Sequence, residues 1–406
     1  MASESNSYQL YQSAHESKEL PVPGADAQAH SEQLIDLIKN EISHNEDAIS
    51  FQRFMELVLY APGLGYYAAG STKLGKDGDF ITAPEISSLF SQAIANAILP
   101  VINQVHTVLE VGAGSGRMAA DILLFLEKKE SLPEEYWILE LSADLRTRQR
   151  ETIKQRAPQL LDRVKWLDSI PSHFSGVVLA NELLDAMPVQ LFQKDAETNE
   201  FNEVKVVSEH ERFAYRLEPS DEPRLLQRLS EIETEIGCHF PPGYLSEINF
   251  AAEDWIKSIA DRLQQGFILL VDYGFPRHEY YHPQRSQGTL MCHYRHRAHV
   301  DPFVYPGLQD ITAHVDFTAM ADAALAAGLK VTGYTTQSNF LMGAGLAELA
   351  ATVEQDDMKQ QVAITNEIKK LTLPHEMGEL FKVIGFSKDC NIEMPAFSFR
   401  DLREYL

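Results

Sequence analysis

The stretch Thr107–Gly116 combines an apolar run, one carboxylate and three glycines. The apolar run predicts a short buried strand, and the good helix formers after the last glycine predict a helix. Gly112, Gly114 and Gly116 occupy alternate positions between the two. Glycine lets the backbone turn sharply and lets a ligand approach the main chain closely. Strand, glycine-rich turn and helix together predict the opening of a nucleotide-binding α/β unit.

The spacing of the glycines and the position of Glu110 separate the possible ligands. A dinucleotide-binding turn has the pattern G-x-G-x-x-G, whereas here the third glycine comes earlier and Arg117 stands at the last position of that pattern. A carboxylate at Glu110 would repel a pyrophosphate but would suit a cation. S-adenosylmethionine (SAM) carries a sulfonium and an ammonium group, so we interpret E-x-G-x-G-x-G as a SAM-binding turn. The alternative is an ordinary strand–helix turn whose glycines serve packing.

Acidic or amide side chains follow each of the next three predicted strands: Glu140, Asp168, and the pair Asn181 and Glu182. Ligands of open parallel sheets bind beyond the carboxyl ends of the strands, so we expect these side chains to meet at one edge. Glu140, after the second strand, is placed to hold the two ribose hydroxyls. Asp168 could accept from an adenine amino group. Alternatively, some of these groups cap helices, and Asp168 is a solvated turn residue.

Length, charge and cysteine usage limit the classes of function. With 406 residues the chain can form one large α/β domain with insertions, or two domains. A formal net charge of −24 argues against a nucleic-acid partner, because a polyanion would be repelled. Three widely spaced cysteines fit a reducing cytoplasm, and no run predicts membrane insertion. The start of the chain resembles neither a secretory signal nor a mitochondrial transit peptide, which favours a bacterial, cytoplasmic protein.

We predict three regions along the chain. Residues 1–30 are polar and predict a flexible tail. Residues 31–100 predict helices that contribute to the cofactor site, and residues 101–406 predict the core. The alternation of strands and helices in the core is interrupted by expected insertions at about 189–265 and 274–306, which would form a lid or substrate groove.

Several boundaries inside these regions are predicted from local signals. Ser31 is expected to begin the first helix, and Pro84 to begin a helix that Thr82 caps and that runs to about Leu99. Residues 381–386 predict the last strand, at an edge of the sheet.

The second insertion is rich in tyrosine, histidine and arginine. Cys292, His293, His296 and His299 suggest a zinc site, and histidines three residues apart would share one face of a helix. No second cysteine pair accompanies them, and the interleaved arginines would repel a cation. We therefore predict no metal and interpret the segment as a basic, aromatic wall near substrate or cofactor.

Five motifs occur in a fixed order: G-D-F-I-T-A-P-E-I-S, E-V-G-A-G-S-G, A-N-E-L-L-D-A-M-P, V-D-Y-G and Q-D-I-T-A-H-V-D-F. In these motifs the chain resembles the MidA-like SAM-dependent methyltransferases, from about Phe51 to the C-terminus. That family includes mitochondrial complex I assembly factors that methylate an arginine of a complex I subunit. The resemblance implies a class I methyltransferase core, a Rossmann-like α/β fold with a seven-stranded sheet, and SAM as cofactor.

Candidate site residues fall into three groups. The cofactor-binding group, which the motifs and the resemblance indicate together, comprises Gly78, Asp79, Phe80, Thr82, Glu110, Gly112, Gly114, Gly116, Glu140, Asp168, Asn181 and Glu182. The substrate-proximal group comprises Asp272, Tyr273, His296, Asp310 and His314. The catalytic candidates are Glu182 and, more weakly, Asp185, which lie just after the fourth strand beside the expected methyl group. Glu182 could instead be a cofactor ligand or a helix cap.

Three functions remain open at this stage. The first is methylation of an arginine side chain on a protein, in which carboxylates orient the guanidinium. The second is methylation of a small molecule or of another side chain, and the third is a non-catalytic assembly chaperone that binds SAM. The sequence predicts neither the identity of the target nor the oligomeric state.

Overall fold

A computed structural model describes residues 20–69, 82–210, 212–352 and 358–406. The chain divides into two compact units. The unit that contains the glycine turn, here called the glycine-turn unit, comprises Thr72–Asp185, Ala252–Pro276 and Val315–Leu406. The second unit comprises Met1–Ser71, Ala186–Ala251 and Arg277–His314. No helix among the described residues is both long enough and apolar enough to cross a membrane.

A mixed, mostly parallel sheet forms the centre of the glycine-turn unit. Its strands are β1 (Thr107–Val111), β2 (Glu135–Leu139), β3 (Val164–Leu167), β4 (Phe174–Asn181), β5 (Leu263–Phe275), β6 (Val315–Asp316), β7 (Lys330–Thr336) and β8 (Phe381–Lys388). Seven strands lie in the order β7-β8-β5-β4-β1-β2-β3, and the short β6 pairs with β5. Strands β1 to β5 are parallel to one another, whereas β8 runs antiparallel to β5 and β7. The predicted seven-stranded α/β sheet is confirmed.

Helices cover this sheet because their apolar faces match the buried central strands. In chain order they span Ala83–Ile86, Ser88–Val105, Arg117–Lys128, Ala143–Arg156, Phe250–Arg262, Phe317–Ala326, Gln337–Gly343, Leu346–Ala351, Met358–Thr372 and Met377–Leu380. Short 3-10 turns lie at Pro158–Arg163, Pro395–Phe397 and Arg403–Tyr405. Ile98, Val108, Leu123 and Val177 belong to one buried apolar cluster, so two of these helices and the central strands share a core.

Strand β8 is not the edge strand that we expected from the sequence. Phe381 to Ser387 are all buried, because β8 pairs on one side with β5 and on the other with β7. The edge is β7 instead. The last strand in the chain need not be the last strand in the sheet. Here β8 is inserted between β5 and β7, and local sequence does not reveal this position.

The predicted helix from Pro84 to Leu99 is two helices. It breaks at Ser87, which has an extended backbone with φ −150° and whose hydroxyl accepts from the backbone N–H of Leu89. This cap starts the longer helix, which then continues past Pro100 to Val105. Thr82 stands at the N-cap position of the short helix, but its side chain makes no capping hydrogen bond, contrary to expectation.

Antiparallel strands form the second unit. One sheet contains Ile49–Ser50, Gln190–Lys194, Phe201–Glu209, Arg212–Pro219 and Leu245–Ile248, and a smaller one contains Met291–Tyr294, Arg297–His299 and Asp310–Thr312. The helices are Ala25–His44, Phe51–Tyr60, Pro223–Ile236 and Arg277–Tyr280. The first insertion therefore supplies most of a sheet of its own, which also takes in a short strand from the N-terminal region.

The first helix begins earlier than predicted. It starts at Ala25 after an extended Gly24, so residues 25–30, which we assigned to the tail, are helical. Alanine and glutamine at this start favour the helix. Ser31 does not cap it; its hydroxyl donates to the carbonyl oxygen of Pro306 at 2.8 Å. Residues 1–19 lie outside the described residues, and the rest of the division into regions stays a prediction.

Replacement of Gly116 by alanine should destabilise the protein more than the same change at Gly328. Both glycines have φ +80°, but a Cβ at Gly116 would lie 2.9 Å from Cα of Gln149, whereas a Cβ at Gly328 would meet nothing within 4 Å. The left-handed backbone should cost each variant about 1–2 kcal/mol, and the clash should cost Gly116→Ala about 1–3 kcal/mol more. Urea unfolding measures both losses. Equal losses would show that the turn does not press against Gln149.

Candidate active site

Glu110 brings a carboxyl group into the buried end of β1. Its side chain is only 1% exposed, and Tyr136 of the neighbouring β2 donates its hydroxyl to Oε2 at 2.7 Å. Burial and, to a smaller extent, the charge of Glu140 raise the pKa of Glu110 to about 7, although the bond from Tyr136 lowers it. Two carboxyl groups so placed are stabilised in their charged forms by a nearby cation. The strand end therefore suits a positively charged ligand.

The glycine turn follows directly and leaves its backbone accessible. Gly112, with φ +71°, donates its N–H to the carbonyl oxygen of Leu139 at 3.1 Å, which ties the turn to the end of β2. A Cβ at Gly112 would lie 3.2 Å from Cδ1 of Leu183. A larger residue would crowd this space and strain the left-handed backbone, so glycine keeps the turn open.

Glu140 is anchored at the end of β2, whereas Asp168 is exposed at the end of β3. Glu140 accepts the backbone N–H of Ser142 on Oε1 and the amide of Gln149 on Oε2, both at 3.0 Å. Burial raises its pKa, and these two donors lower it. Asp168 has a side chain that is 92% exposed and pairs with Arg146 at 2.7 Å. Both carboxylates thus lie at neighbouring strand ends, as expected.

A second carboxylate cluster lies where β4 and β5 end side by side. Oδ2 of Asp272 accepts the backbone N–H groups of Leu183, Leu184 and Asp185, at 3.2, 2.9 and 3.3 Å. Three successive N–H groups around one oxygen form an anion-binding turn. Burial, together with the charges of Asp185 and Glu182, raises the pKa of Asp272 well above its usual value. Asp272 therefore anchors the turn that carries both catalytic candidates.

Glu182 occupies the first position of that turn in a left-handed conformation, with φ 52°. The side-chain amide of Asn181 donates to its Oε1 at 3.0 Å, and the backbone N–H of Ala83 also bonds to the carboxylate. Burial and the charge of Asp185 raise the pKa of Glu182 to about 7, although these two donors lower it. The Glu182 carboxyl group is half-buried, accepts from neutral donors and changes its protonation state near neutral pH.

The short helix that supplies the Ala83 N–H is fixed to the glycine turn. The Ser115 hydroxyl donates to Glu85, and Nη1 of Arg117 donates to the Glu85 carbonyl oxygen at 2.9 Å. Nη1 of Arg117 also lies 3.5 Å from a carboxylate oxygen of Glu85. The arginine that replaces the last residue of the dinucleotide pattern thus connects the cofactor turn to the Glu182 region.

A family model with the description "Putative S-adenosyl-L-methionine-dependent methyltransferase" matches residues 93–335, more than half of the chain. The chain belongs to this methyltransferase family. It is also 44% identical to a Burkholderia thailandensis protein described as a "likely methyl transferase" and crystallised with S-adenosyl-homocysteine bound. The match has a TM-score of 0.91 and covers 96% of this chain and 100% of the other.

Curated relatives are more distant. The zebrafish (Danio rerio) protein arginine methyltransferase NDUFAF7, mitochondrial, is 28% identical over 367 residues, which is 82% of each chain. The human (Homo sapiens) protein of the same name is 28% identical over 371 residues, or 82% of this chain and 78% of its own. These matches confirm the predicted MidA-like family and SAM as cofactor.

The residues of this methyltransferase fit SAM. Glycines leave three positions of the turn without a side chain, at φ +71°, +53° and +80°. The turn follows the buried carboxyl of Glu110 and is joined through Gln149 to that of Glu140. The Glu110 carboxyl matches the positive charges of SAM, and the Glu140 carboxyl can accept hydrogen bonds from the ribose hydroxyls.

Other predicted site residues lie in separate places. Gly78, Asp79 and Phe80 lie outside the described residues. Tyr273 is half-buried, and its ring contacts Phe381 edge-on at 5.4 Å. It lies in β5, which runs on to Phe275.

Three substrate-proximal candidates of the methyltransferase belong to the second unit. His296 is exposed at a hairpin tip with φ +61°. Asp310 is buried and accepts the Tyr67 hydroxyl at 2.9 Å, and the backbone N–H of His314 donates to Oγ1 of Thr289 at 2.9 Å. Their roles at substrate stay predictions.

The histidine-rich segment is a hairpin rather than a helix. Met291–Tyr294 pairs antiparallel with Arg297–His299, so His293, His296 and His299 do not share a helix face as the zinc alternative required. Across the part of the chain that the structure describes, no group of three or more histidine, cysteine or acidic side chains could hold a metal ion.

Sequence reasoning missed Gln149, Arg146 and Trp166. Gln149 donates to Glu140 and to the Gly114 carbonyl, Arg146 donates to the Glu140 carbonyl at 2.6 Å, and Trp166 donates to Gln149 at 2.9 Å. The available signal was a glutamine at the centre of an i, i+4 stripe between Leu145 and Ile153.

Replacement of Glu110 by glutamine should stabilise this methyltransferase at alkaline pH. Between pH 4.5 and about 7 the folded protein keeps a proton on Glu110 that the unfolded chain has released. Ionisation above that range therefore costs folding stability, and Glu110→Gln removes the cost while an amide oxygen can still accept from Tyr136. We expect a gain of about 3 kcal/mol near pH 8 and of less than about 1 kcal/mol near pH 5.

Urea unfolding at the two pH values checks this expectation. Glu134→Gln, an exposed position beside β2, is the control and should show no such gain. A Glu110→Gln protein that is less stable than wild type near pH 8 contradicts the argument.

Proposed function

We propose that this methyltransferase transfers the methyl group of SAM to an arginine side chain of a protein substrate. The observation that carries the proposal is a group of acceptors after β4. Oδ1 of Asn181 is buried with no hydrogen-bond partner among the described residues, and the carboxylate of Glu182 lies beside the same amide. A guanidinium has only donors, so these acceptors complement it. The arginine methyltransferase names of the curated relatives support the same substrate.

Glu182 makes arginine a better nucleophile in this proposal. A guanidinium reacts poorly because its lone pairs are delocalised. When bound, SAM supplies an electrophilic methyl carbon. The Glu182 carboxylate pairs with the substrate, localises positive charge on the paired nitrogens and orients a free nitrogen for attack. With a pKa of about 7, it can also accept the proton that this nitrogen releases.

The remaining carboxylates divide between binding and support. Glu110 faces the cationic part of the cofactor, Glu140 takes the ribose hydroxyls, and Asp168 reaches the adenine end when its pair with Arg146 opens. Asp272 positions the turn that carries Glu182 instead of touching substrate, because three backbone N–H groups already surround one of its oxygens. Asp185, beside Glu182, adds negative charge for the substrate.

We also retain a cytoplasmic location as part of the proposal. Cys238, Cys292 and Cys390 are all free thiols, which is usual in a reducing compartment.

Glu182→Gln should reduce turnover about 100-fold or more while the affinity for S-adenosyl-homocysteine stays close to that of wild type. The amide cannot localise the guanidinium charge or accept its proton. Calorimetry measures the affinity and labelled-methyl transfer measures turnover; in wild type the rate should rise with pH through about 7, the pKa of Glu182. Glu134→Gln should match wild type. If the affinity collapses while turnover per bound cofactor is unchanged, Glu182 is a cofactor ligand instead.

Incubation of the purified protein with methyl-labelled SAM and a cell extract tests the substrate class. We expect label in protein-sized material that yields methylarginine on acid hydrolysis. Label only in small molecules indicates the second function considered from the sequence. Calorimetric binding of SAM without any transfer indicates the assembly chaperone, and either result contradicts arginine methylation.

A further inference from the structure

The helix Ala143–Arg156 buries a polar residue where its pattern favours an apolar one. Its buried residues are Leu145, Gln149 and Ile153, which lie along one face at intervals of four. Gln149 is 0% exposed. A buried amide costs stability unless it is fully hydrogen-bonded, so its partners decide what it contributes.

The partners of Gln149 come from the ends of three neighbouring strands. Its Nε2 donates to the Gly114 carbonyl oxygen beyond β1 at 3.1 Å and to Oε2 of Glu140 beyond β2 at 3.0 Å. Its Oε1 accepts the indole N–H of Trp166 in β3 at 2.9 Å. Both amide protons are used, and the acceptor bond fixes which way the amide faces. One side chain therefore connects the glycine turn, the Glu140 carboxylate and the third strand.

Arg146 holds the same strand ends one helical turn away. Its Nη2 donates to the Leu167 carbonyl oxygen at 2.7 Å, and its Nη1 pairs with Asp168 at 2.7 Å. Because Arg146 also bonds the Glu140 backbone, the end of β2 stays attached to the helix without Gln149. Loss of Gln149 should consequently loosen the Glu140 carboxylate and the glycine turn but have less effect on the stability of the fold.

We propose that Gln149 is a positioning residue for the cofactor, which holds the Glu140 carboxylate at a fixed distance from the Gly112–Gly116 turn. Oε1 of Glu140 accepts from Ser142 and Oε2 accepts from Gln149, which orients the carboxylate to accept from a ribose hydroxyl. This inference rests on the cofactor role proposed above for Glu140. An apolar residue would pack the same helix face but could not orient the carboxylate.

Gln149→Met in the full chain tests the proposal, since methionine keeps the length of the side chain and removes its hydrogen bonds. We expect the Kd for S-adenosyl-homocysteine, measured by calorimetry, to rise about tenfold. The KM for SAM should rise similarly, while kcat at saturating SAM should stay within about twofold. Gln155→Met, the same change at an exposed position of the same helix, is the matched control and should bind like wild type.

The pH dependence of binding separates positioning from a general loss of structure. The bond from Gln149 holds down the pKa of Glu140, which burial raises. Without that bond the carboxyl should take up a proton at higher pH, so the acid-side loss of affinity should shift upward in Gln149→Met. A purely structural defect would weaken binding equally at every pH between about 5 and 8.

Glu140→Gln separates this inference from the function on which it rests. If Glu140→Gln weakens binding and Gln149→Met does not, Gln149 is not a positioning residue. If Glu140→Gln leaves the Kd unchanged, the cofactor role of Glu140 is wrong, and the inference falls with it. We expect both single changes to weaken binding and Gln149→Met to add less than about twofold in a Glu140→Gln background, because the two act through one contact.

A milder variant keeps the proposal testable if Gln149→Met does not fold. Trp166→Phe removes only the indole donor and keeps an aromatic ring beside Arg150, whose guanidinium lies 4.4 Å from the Trp166 ring. The Gln149 amide should then turn more freely, and the Kd for S-adenosyl-homocysteine should rise about threefold. A Kd equal to that of wild type in folded Trp166→Phe would overturn the role of the amide.

Discussion

Burial of carboxyl groups at the carboxyl ends of parallel strands is the constraint on which this site depends. The parallel order of β1 to β5 brings Glu110, Glu140, Glu182 and Asp272 to that edge, and burial raises the pKa of each. A buried charge costs free energy unless donors or a cation compensate it. The hydrogen bonds described for the side-chain carboxyl groups of Glu110, Glu140 and Glu182 come from neutral donors. A cationic methyl donor and a cationic substrate can supply the positive charge that these buried carboxyl groups still lack.

Neutral donors hold these carboxylates in place and leave them able to bind a cationic ligand, whereas lysine or arginine would neutralise them. A permanent ion pair would satisfy the carboxylates and leave little reason to bind a cationic ligand. Hydroxyls, amides and backbone N–H groups orient the carboxylates and only partly offset their desolvation, as the pKa of about 7 for both Glu110 and Glu182 shows. Arg117 and Arg146 lie nearby, but Arg117 bonds Glu85 and Arg146 bonds backbone oxygens and Asp168. The cationic side chains therefore support the frame around the site.

The sequence predicts the parts of the site that depend on single strand ends. The glycine turn, Glu110 and Glu140 follow from one strand and one turn each, and the structure brings them together. The anchoring of Asp272 depends on the left-handed backbone of Glu182 and on pairing between β4 and β5, strands separated by about 80 residues of chain. The inserted position of β8 likewise depends on pairing with both β5 and β7. Local propensity carries no information on such contacts, so these features emerge only from the folded chain.

Gln149 shows how a departure from the apolar pattern can mark function. A leucine between Leu145 and Ile153 would bury more apolar area and need no partners, so stability alone does not explain the glutamine. Its amide instead meets groups from the ends of three neighbouring strands. Orienting a ligand-binding carboxylate within the 0.5 Å or so that binding sites require calls for such a second contact. Asp272 acts in the same way on the turn that carries Glu182. In both places a buried polar group holds the residue that is proposed to touch the ligand. Because the polar group is buried, water does not compete for its hydrogen bonds.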